Sequence, residues 1–288
     1  FINQSITNWT AQFGKQDRIE PSMYGYDWYV YKQLKTMVGV DQDGKVNQIF
    51  TMNEQMDISP FQMNESIESI LTTQPIESEI TIPIGESRYT FSLNQEEVTS
   101  KFLIPFNQVQ AQVYIDTKDK EIQAVRFINN ETLVLHQPYD MFYEGKLIRA
   151  PLFTTKEWVE NNRAVERQLV DLTNWMRIAH GQRSLASDYQ LTVFARKVSE
   201  QLALPKHIQE QQGTLKERLV EEAIKHQQAG ETVASSFVDP IEVVHSFLTS
   251  DTHREVFLHP QFTHIGTGTH AGIYVVEYIT RADKDISQ

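Results

Sequence analysis

Apolar and polar positions alternate with a period of two through much of the first half of the chain. Trp28 and Val30, then Val38 and Val40, stand between polar or small neighbours, the pattern of half-buried strands. Asp43-Gly44 supplies a two-residue hairpin signal before Val46 and Ile49. The pattern recurs about 75 residues later: Val113 and Ile115 answer Val38 and Val40, Asp116 answers Asp41, and Ile122 and Val125 answer Val46 and Ile49. The recurrence predicts two copies of a small α+β unit, about 6–52 and 82–136, with two ordinary hairpins as the alternative. Between them, residues 53–80 are acidic, rich in Ser, Thr and Gln and broken by Pro60 and Pro75, which predicts a helix-containing connection. Thr132 to His136 is the last strand-like run, followed by the aromatic tail Tyr139, Phe142 and Tyr143.

Near residues 146–160 the period changes from 2 to 3.6, so a boundary is expected between an N-terminal α+β domain, 1–150, and a C-terminal domain, 160–282. Val165, Leu169, Leu172, Met176 and Ala179 share one helix face, and Gly181 is placed to end that helix. Asp188 caps a second helix that carries Leu191, Phe194, Ala195, Val198 and Leu202 and stops at Pro205. Thr214 and Glu217 form a capping box for a third, with Gly230 beyond its end. Asp239-Pro240 with Glu242 opens a fourth, whose inward face carries Val243, Val244 and Phe247. His264 to Thr269 and Ile273 to Ile279 return as a hairpin, where turn geometry accounts for Gly266, Gly268 and Gly272. The fold class is α+β.

Composition narrows the function. A chain of 288 residues is roughly twice a typical domain. With 26 Lys and Arg against 38 Asp and Glu, its net charge of -12 disfavours nucleic acid and anionic membranes as partners, since both require a basic face. The excess is uneven: residues 51–100 hold one base, Arg88, against nine acids. That window is a solvated surface by default, and otherwise a face for a basic protein partner or an extracellular cation. The absence of Cys rules out disulfides, Cys-ligated zinc and thiol nucleophiles. No transmembrane run of apolar residues is present. The first residue is Phe1 rather than Met, as expected where a leader has been removed or the N-terminus trimmed, and the former alternative leads to the expectation of an extracellular or cell-surface protein.

No phosphate-binding glycine loop, paired-His zinc helix or serine elbow occurs. Eight of the nine histidines lie in the second half. His180 beside Gly181 and His226 before Gly230 fit helix C-termini, where positive charge is favoured. Arg177 and Arg254 read as ion-paired helix residues, and Tyr24, Tyr26, Trp28 and Tyr31 as packing, with a ligand platform as the alternative.

From Leu169 onward the series Asn174, Arg177, Gly181 and Leu185, then Leu191, Ala195 and Ser199, resembles the bacterial branch of the CAP superfamily. That superfamily comprises cysteine-rich secretory, antigen-five and pathogenesis-related proteins. The likeness continues through His207, Gly213, Arg218 and Gly230-Glu231-Thr232-Val233-Ala234, where the family usually reads Gly-Glu-Asn-Ile-Ala. It reaches Ser250-Asp251-Thr252-His253-Arg254, His259-Pro260 and Phe262-Thr263-His264-Ile265-Gly266 with Gly268, and so covers about 165–280. Gly14-Lys15-Gln16-Asp17-Arg18, Tyr26, Trp28, Tyr31 and Gly44-Lys45-Val46 resemble the CAP-associated N-terminal domain that precedes CAP domains in some secreted proteins of low-GC Gram-positive bacteria.

The resemblance implies a three-layer α-β-α sandwich with a cleft lined by two His and one or two Glu, matched here by His207, Glu231 and His253. The family's second carboxylate would fall near Ser250, so this chain is expected to lack it. The closing strand, Tyr274-Val275-Val276-Glu277, lacks the usual Thr-Gln. Two imidazoles and a carboxylate suit a divalent metal such as zinc that retains water. Three functions remain open at this point. One is a binding module for a lipid, a small apolar ligand or another cell-envelope component. Another is a metal-assisted peptidase or esterase with Glu231 as ligand or base. The last is a purely structural His/Glu cluster in a protein-interaction module.

Overall fold

The computed structural model describes residues 1–205 and 213–281. The chain divides into two units, Phe1–Asn161 and Asn162–Gln288.

The first unit opens with helix α1 (Ile6–Phe13), capped by the Ser5 side chain and closed by Gly14 at φ 79°. Four strands follow, β1 (Arg18–Pro21), β2 (Asp27–Tyr31), β3 (Thr36–Val40) and β4 (Val46–Thr51). Helix α2 (Ile67–Thr73) lies in the acidic connection, ahead of β5 (Glu79–Ile84) and β6 (Ser87–Ser92). Helix α3 (Gln95–Ser100) leads into β7 (Lys101–Phe106), β8 (Val109–Asp116) and β9 (Glu121–Asn129), then α4 (Asn130–His136) and β10 (Asp140–Glu144). Seven strands form an antiparallel sheet in the order β1-β2-β3-β4-β9-β8-β7, and β10-β6-β5 make a smaller one.

The repeated sequence pattern has a structural counterpart about the β4/β9 pairing. The register of the β3–β4 hairpin shifts between Gly39 and Val40, and that of β8–β9 between Tyr114 and Ile115, at matching positions. The Asp41 carboxylate accepts from the Asp43 and Lys45 amides at 2.9 Å, and Asp116 accepts from the Lys118 amide at 2.8 Å. The same device therefore fixes both turns. Thr132 to His136 departs from its strand-like pattern. Asn129 accepts from the Thr132 amide at 2.9 Å, and this N-cap turns the run into α4, which buries Leu133 and Val134. Trp28, Tyr26 and Tyr31 are buried, and the Tyr24 ring packs on His136 at 4.3 Å.

The division into units falls within helix α5 (Thr155–Ala179). Beyond it come β11 (Ala186–Ser187), α6 (Tyr189–Leu202), α7 (Leu215–Glu221), β12 (Gln228–Ser235), α8 (Pro240–Thr249), α9 (Asp251–Phe257), β13 (His264–His270) and β14 (Ile273–Thr280). Asp188, Thr214 with Glu217, and Asp239 with Pro240 cap α6, α7 and α8. The sheet order is β11-β13-β14-β12. One face packs Val275 and Ile279 against Leu191, Phe194, Ala195 and Val198 of α6 and Leu219 of α7. On the other, Thr267 donates to the Glu166 carbonyl of α5 at 2.9 Å and Tyr278 meets Phe257 of α9. Helices on both faces make the second unit a three-layer α-β-α sandwich.

Three glycines stand in strands for packing reasons that the sequence reading attributed to turns and helix ends. Helix α7 ends at Glu221, where Ala223 takes a φ of 56°. Gly230 lies in β12 instead, where a Cβ would come within 2.7 Å of Phe262 and Val256. His226 consequently sits in the irregular segment before β12, its Nδ1 2.9 Å from the Ile224 carbonyl, and not at a helix end. Gly266 and Gly268 lie inside β13 because the α6 backbone rests on them; Gly272, at φ 77°, is the glycine that serves the turn.

Candidate functional site

Strand alternation decides what Glu231 can reach. Gly230 faces Val256 of α9, so Glu231 points to the opposite side of β12, toward α7. There the Arg218 guanidinium donates one nitrogen to both Glu231 oxygens at 3.2 Å, while its own plane lies over the Phe194 ring at 5.5 Å. Directly across the sheet, the register pairs Glu231 with Glu277 of β14.

Glu277 is 1% exposed, and neither of its oxygens finds a donor. The group that faces them is the Glu231 carboxylate. Burial first, and then the neighbouring Glu231, push the Glu277 carboxyl well above its ordinary value, against the opposing pull of Arg218. Two ionised carboxylates cannot hydrogen-bond each other. Burial, the lack of a donor and the facing Glu231 thus all favour the protonated form of Glu277, while Arg218 pairs with Glu231. A second carboxylate thus lies beside Glu231, away from the family position that Ser250 occupies. Ser250 instead caps α9, and the acid comes from the closing strand. Glu277 carried a signal in the sequence, as an acid on the inward side of an otherwise apolar strand, but its partner is 46 residues away.

His253 sits half-buried in the first turn of α9, its amide 3.5 Å from Ser250 Oγ and its ring edge-on to Phe247 at 5.3 Å. His207 lies outside the described residues. Thr232, at the family's Asn position, places its hydroxyl 3.2 Å from Tyr278 Oη on the face away from Glu231. Glu231, Glu277 and His253 are not among the described residues whose ligand atoms cluster as a trio within 4.8 Å. A cation at Glu231 would also meet the Arg218 charge. With His207 outside the described residues, what the structure shows of the expected zinc set is that Glu231 is already paired with Arg218.

The family-like residues on α5 are structural. Asn174 bonds both the amide and the carbonyl of Leu185, at 2.8 and 3.1 Å. Arg177 is fully buried and is not the ion-paired residue expected. Its guanidinium donates to the carbonyls of Phe257 (2.6 Å), Arg183 (3.1 Å) and His259 (3.2 Å), and so ties down the segment after α9. An ammonium cannot span three acceptors in this geometry. Arg177→Lys should cost about 2 kcal/mol in urea unfolding, through charge-assisted hydrogen bonds left unmade. An unchanged midpoint would refute the clasp.

Comparison with known proteins places this architecture. The CAP-associated N-terminal family model matches residues 2–139, and the cysteine-rich secretory protein family model matches 170–274. An extracellular protein containing a SCP domain from Bacillus anthracis str. Ames is 32% identical, with a TM-score of 0.90 over 97% of this chain and 94% of that one. The chain belongs to the CAP family. A cysteine-rich secretory protein from Staphylococcus aureus Mu50 shares the fold, with a TM-score of 0.85 at 22% identity over 97% of this chain and 91% of that one. The Bacillus subtilis relative named "Uncharacterized membrane protein YlbC" is 29% identical over 287 residues, 98% of this chain and 83% of its own length. No helix among the described residues of the CAP protein is long and apolar enough to cross a membrane.

Proposed function

We propose that this CAP protein acts outside the cell as a binding module. In this reading Glu231, on the α7 side of β12, and His253, on α9, are separate candidate contacts to a small cell-envelope ligand, a lipid or a muropeptide, which the protein does not hydrolyse. The observation that carries this is the Arg218–Glu231–Glu277 arrangement. A carboxylate already paired with a guanidinium, and facing a buried carboxyl that favours its protonated form, is less suited to hold a water-activating metal than to accept a ligand's N–H or O–H. The extracellular part rests on likeness to the Bacillus anthracis protein.

The test is retention of radiolabelled muropeptides and envelope lipids by the full chain, beside turnover of peptide and ester libraries. Loss of retention in His253→Ala, with no turnover by the parent, is the expected result. Turnover that a chelator abolishes would overturn it in favour of the hydrolase. The divalent-cation reading has its own check. Zinc should raise the melting temperature of Arg218→Met more than that of the parent, because removing the guanidinium frees Glu231. Equal shifts would show that Arg218 does not guard the carboxylate.

A further inference from the structure

The N-terminal unit holds a second candidate site, independent of the reading above. Helix α1 covers one part of the large sheet through the cluster of Trp9, Tyr31, Val38, Val40, Val46 and Ile49. The connection after β4 covers another through a separate cluster that includes Ile58, Phe61 and Ile70. The two do not merge. Between them lies a cavity of about 680 Å³, walled by Trp9 and Phe13 of α1, Ile49 of β4, Phe127 of β9, and Met56 and Ile58 of the connection. Met56 packs against both clusters.

Close packing is the rule beneath a sheet, and apolar walls that miss their partners forfeit contact energy which an apolar guest restores. The volume falls in the range of small-molecule sites, about 300–1,000 Å³. The polar side chains at the cavity are those of Thr51 and the exposed Gln12, Gln55 and Asp57, no Lys, Arg or His side chain lines it, and Phe1 also borders it. Asp57 is the charged side chain among them. The Ser59 hydroxyl and amide, at 2.6 and 3.0 Å, hold its carboxyl below the usual range, so it is ionised. The surrounding residues 51–100 add acids and a single base, Arg88.

We propose that this cavity binds the chain of a single-chain amphiphile whose head group is cationic, the chain lying between α1 and Met56 and the head at Asp57. Flexible Met56 adapts the wall to the chain, and the acidic rim sets the sign of the head.

Calorimetric titration of the full chain with decyltrimethylammonium and decanoate, both below their micellar concentrations, tests this. Saturable one-to-one binding is expected, with decyltrimethylammonium preferred about threefold, as befits an exposed ionic contact. Val109→Trp, which fills the cavity from β8, should weaken binding about tenfold or more. Should that variant fail to melt cooperatively, Gln55→Trp at the exposed rim provides the block. Asp57→Asn should erase the preference by weakening decyltrimethylammonium binding while leaving decanoate bound at least as tightly as by the parent. Equal affinity of the parent for the two probes, or affinity that survives the block, overturns the proposal.

Discussion

Glu277→Gln should make the protein more stable than the parent at pH 8 and nearly equal to it at pH 4. The acid in the parent is fully buried, and burial with the adjacent Glu231 raises its folded value well above the 4.5 that it has when unfolded. Below pH 4.5 both states hold the proton and the group is neutral to folding. Above it the unfolded chain releases a proton that the folded chain retains, so stability falls by about 1.4 kcal/mol for each pH unit until the folded value is reached. Gln has the same shape, carries no proton to release, and can donate N–H to Glu231 as the protonated acid does. The difference between variant and parent therefore opens as pH rises. Carboxyl groups remote from the Glu231–Glu277 pair contribute to both profiles alike and cancel. Urea midpoints from pH 4 to 9 measure it, and parallel profiles would mean that Glu277 is ionised in the folded protein. Glu277→Ala is the useful contrast. It removes the same titration but leaves a cavity and an unpaired Glu231, so it should destabilise at every pH.

Features of this fold that depend on a few consecutive residues were legible in the sequence. The caps at Asp188, Thr214 and Asp239 and the Asp43-Gly44 turn each satisfy main-chain groups within four residues, and each stands where the pattern put it. What escaped was set by partners distant in sequence. Glu277 has meaning only through the register that sets it opposite Glu231. Arg177 looks like an ordinary helix charge until the Phe257 and His259 carbonyls, about 80 positions later, close around it. Thr132 to His136 has the composition of a strand, and a single N-cap hydrogen bond from Thr132 to Asn129 overrides it.

Gly268→Ala should lower the stability of the CAP domain by about 3 kcal/mol, the upper end of the usual cost of overpacking. In a strand interior the same change is ordinarily favourable by roughly 0.5–1 kcal/mol, because Ala loses less backbone freedom on folding. The sign is therefore decided by what the new methyl meets. At Gly268 it would overlap the main chain of Ala195 and Arg196, and at Gly266 that of Leu191 and Thr192. These are backbone atoms of α6, held by the helix's own hydrogen bonds, so no side-chain rotation relieves the clash. The helix must lift from β13, loosening Leu191, Phe194 and Ala195 from Val275 and Ile279. Because the obstruction is backbone, trimming the facing side chain with Ala195→Gly should not rescue the variant. A urea midpoint at or above the parent's, or rescue by Ala195→Gly, would show that the helix does not rest on the glycines. The expected loss would establish that two missing side chains set the spacing between the α6 layer and the sheet on the face where Arg218, Glu231 and Glu277 meet.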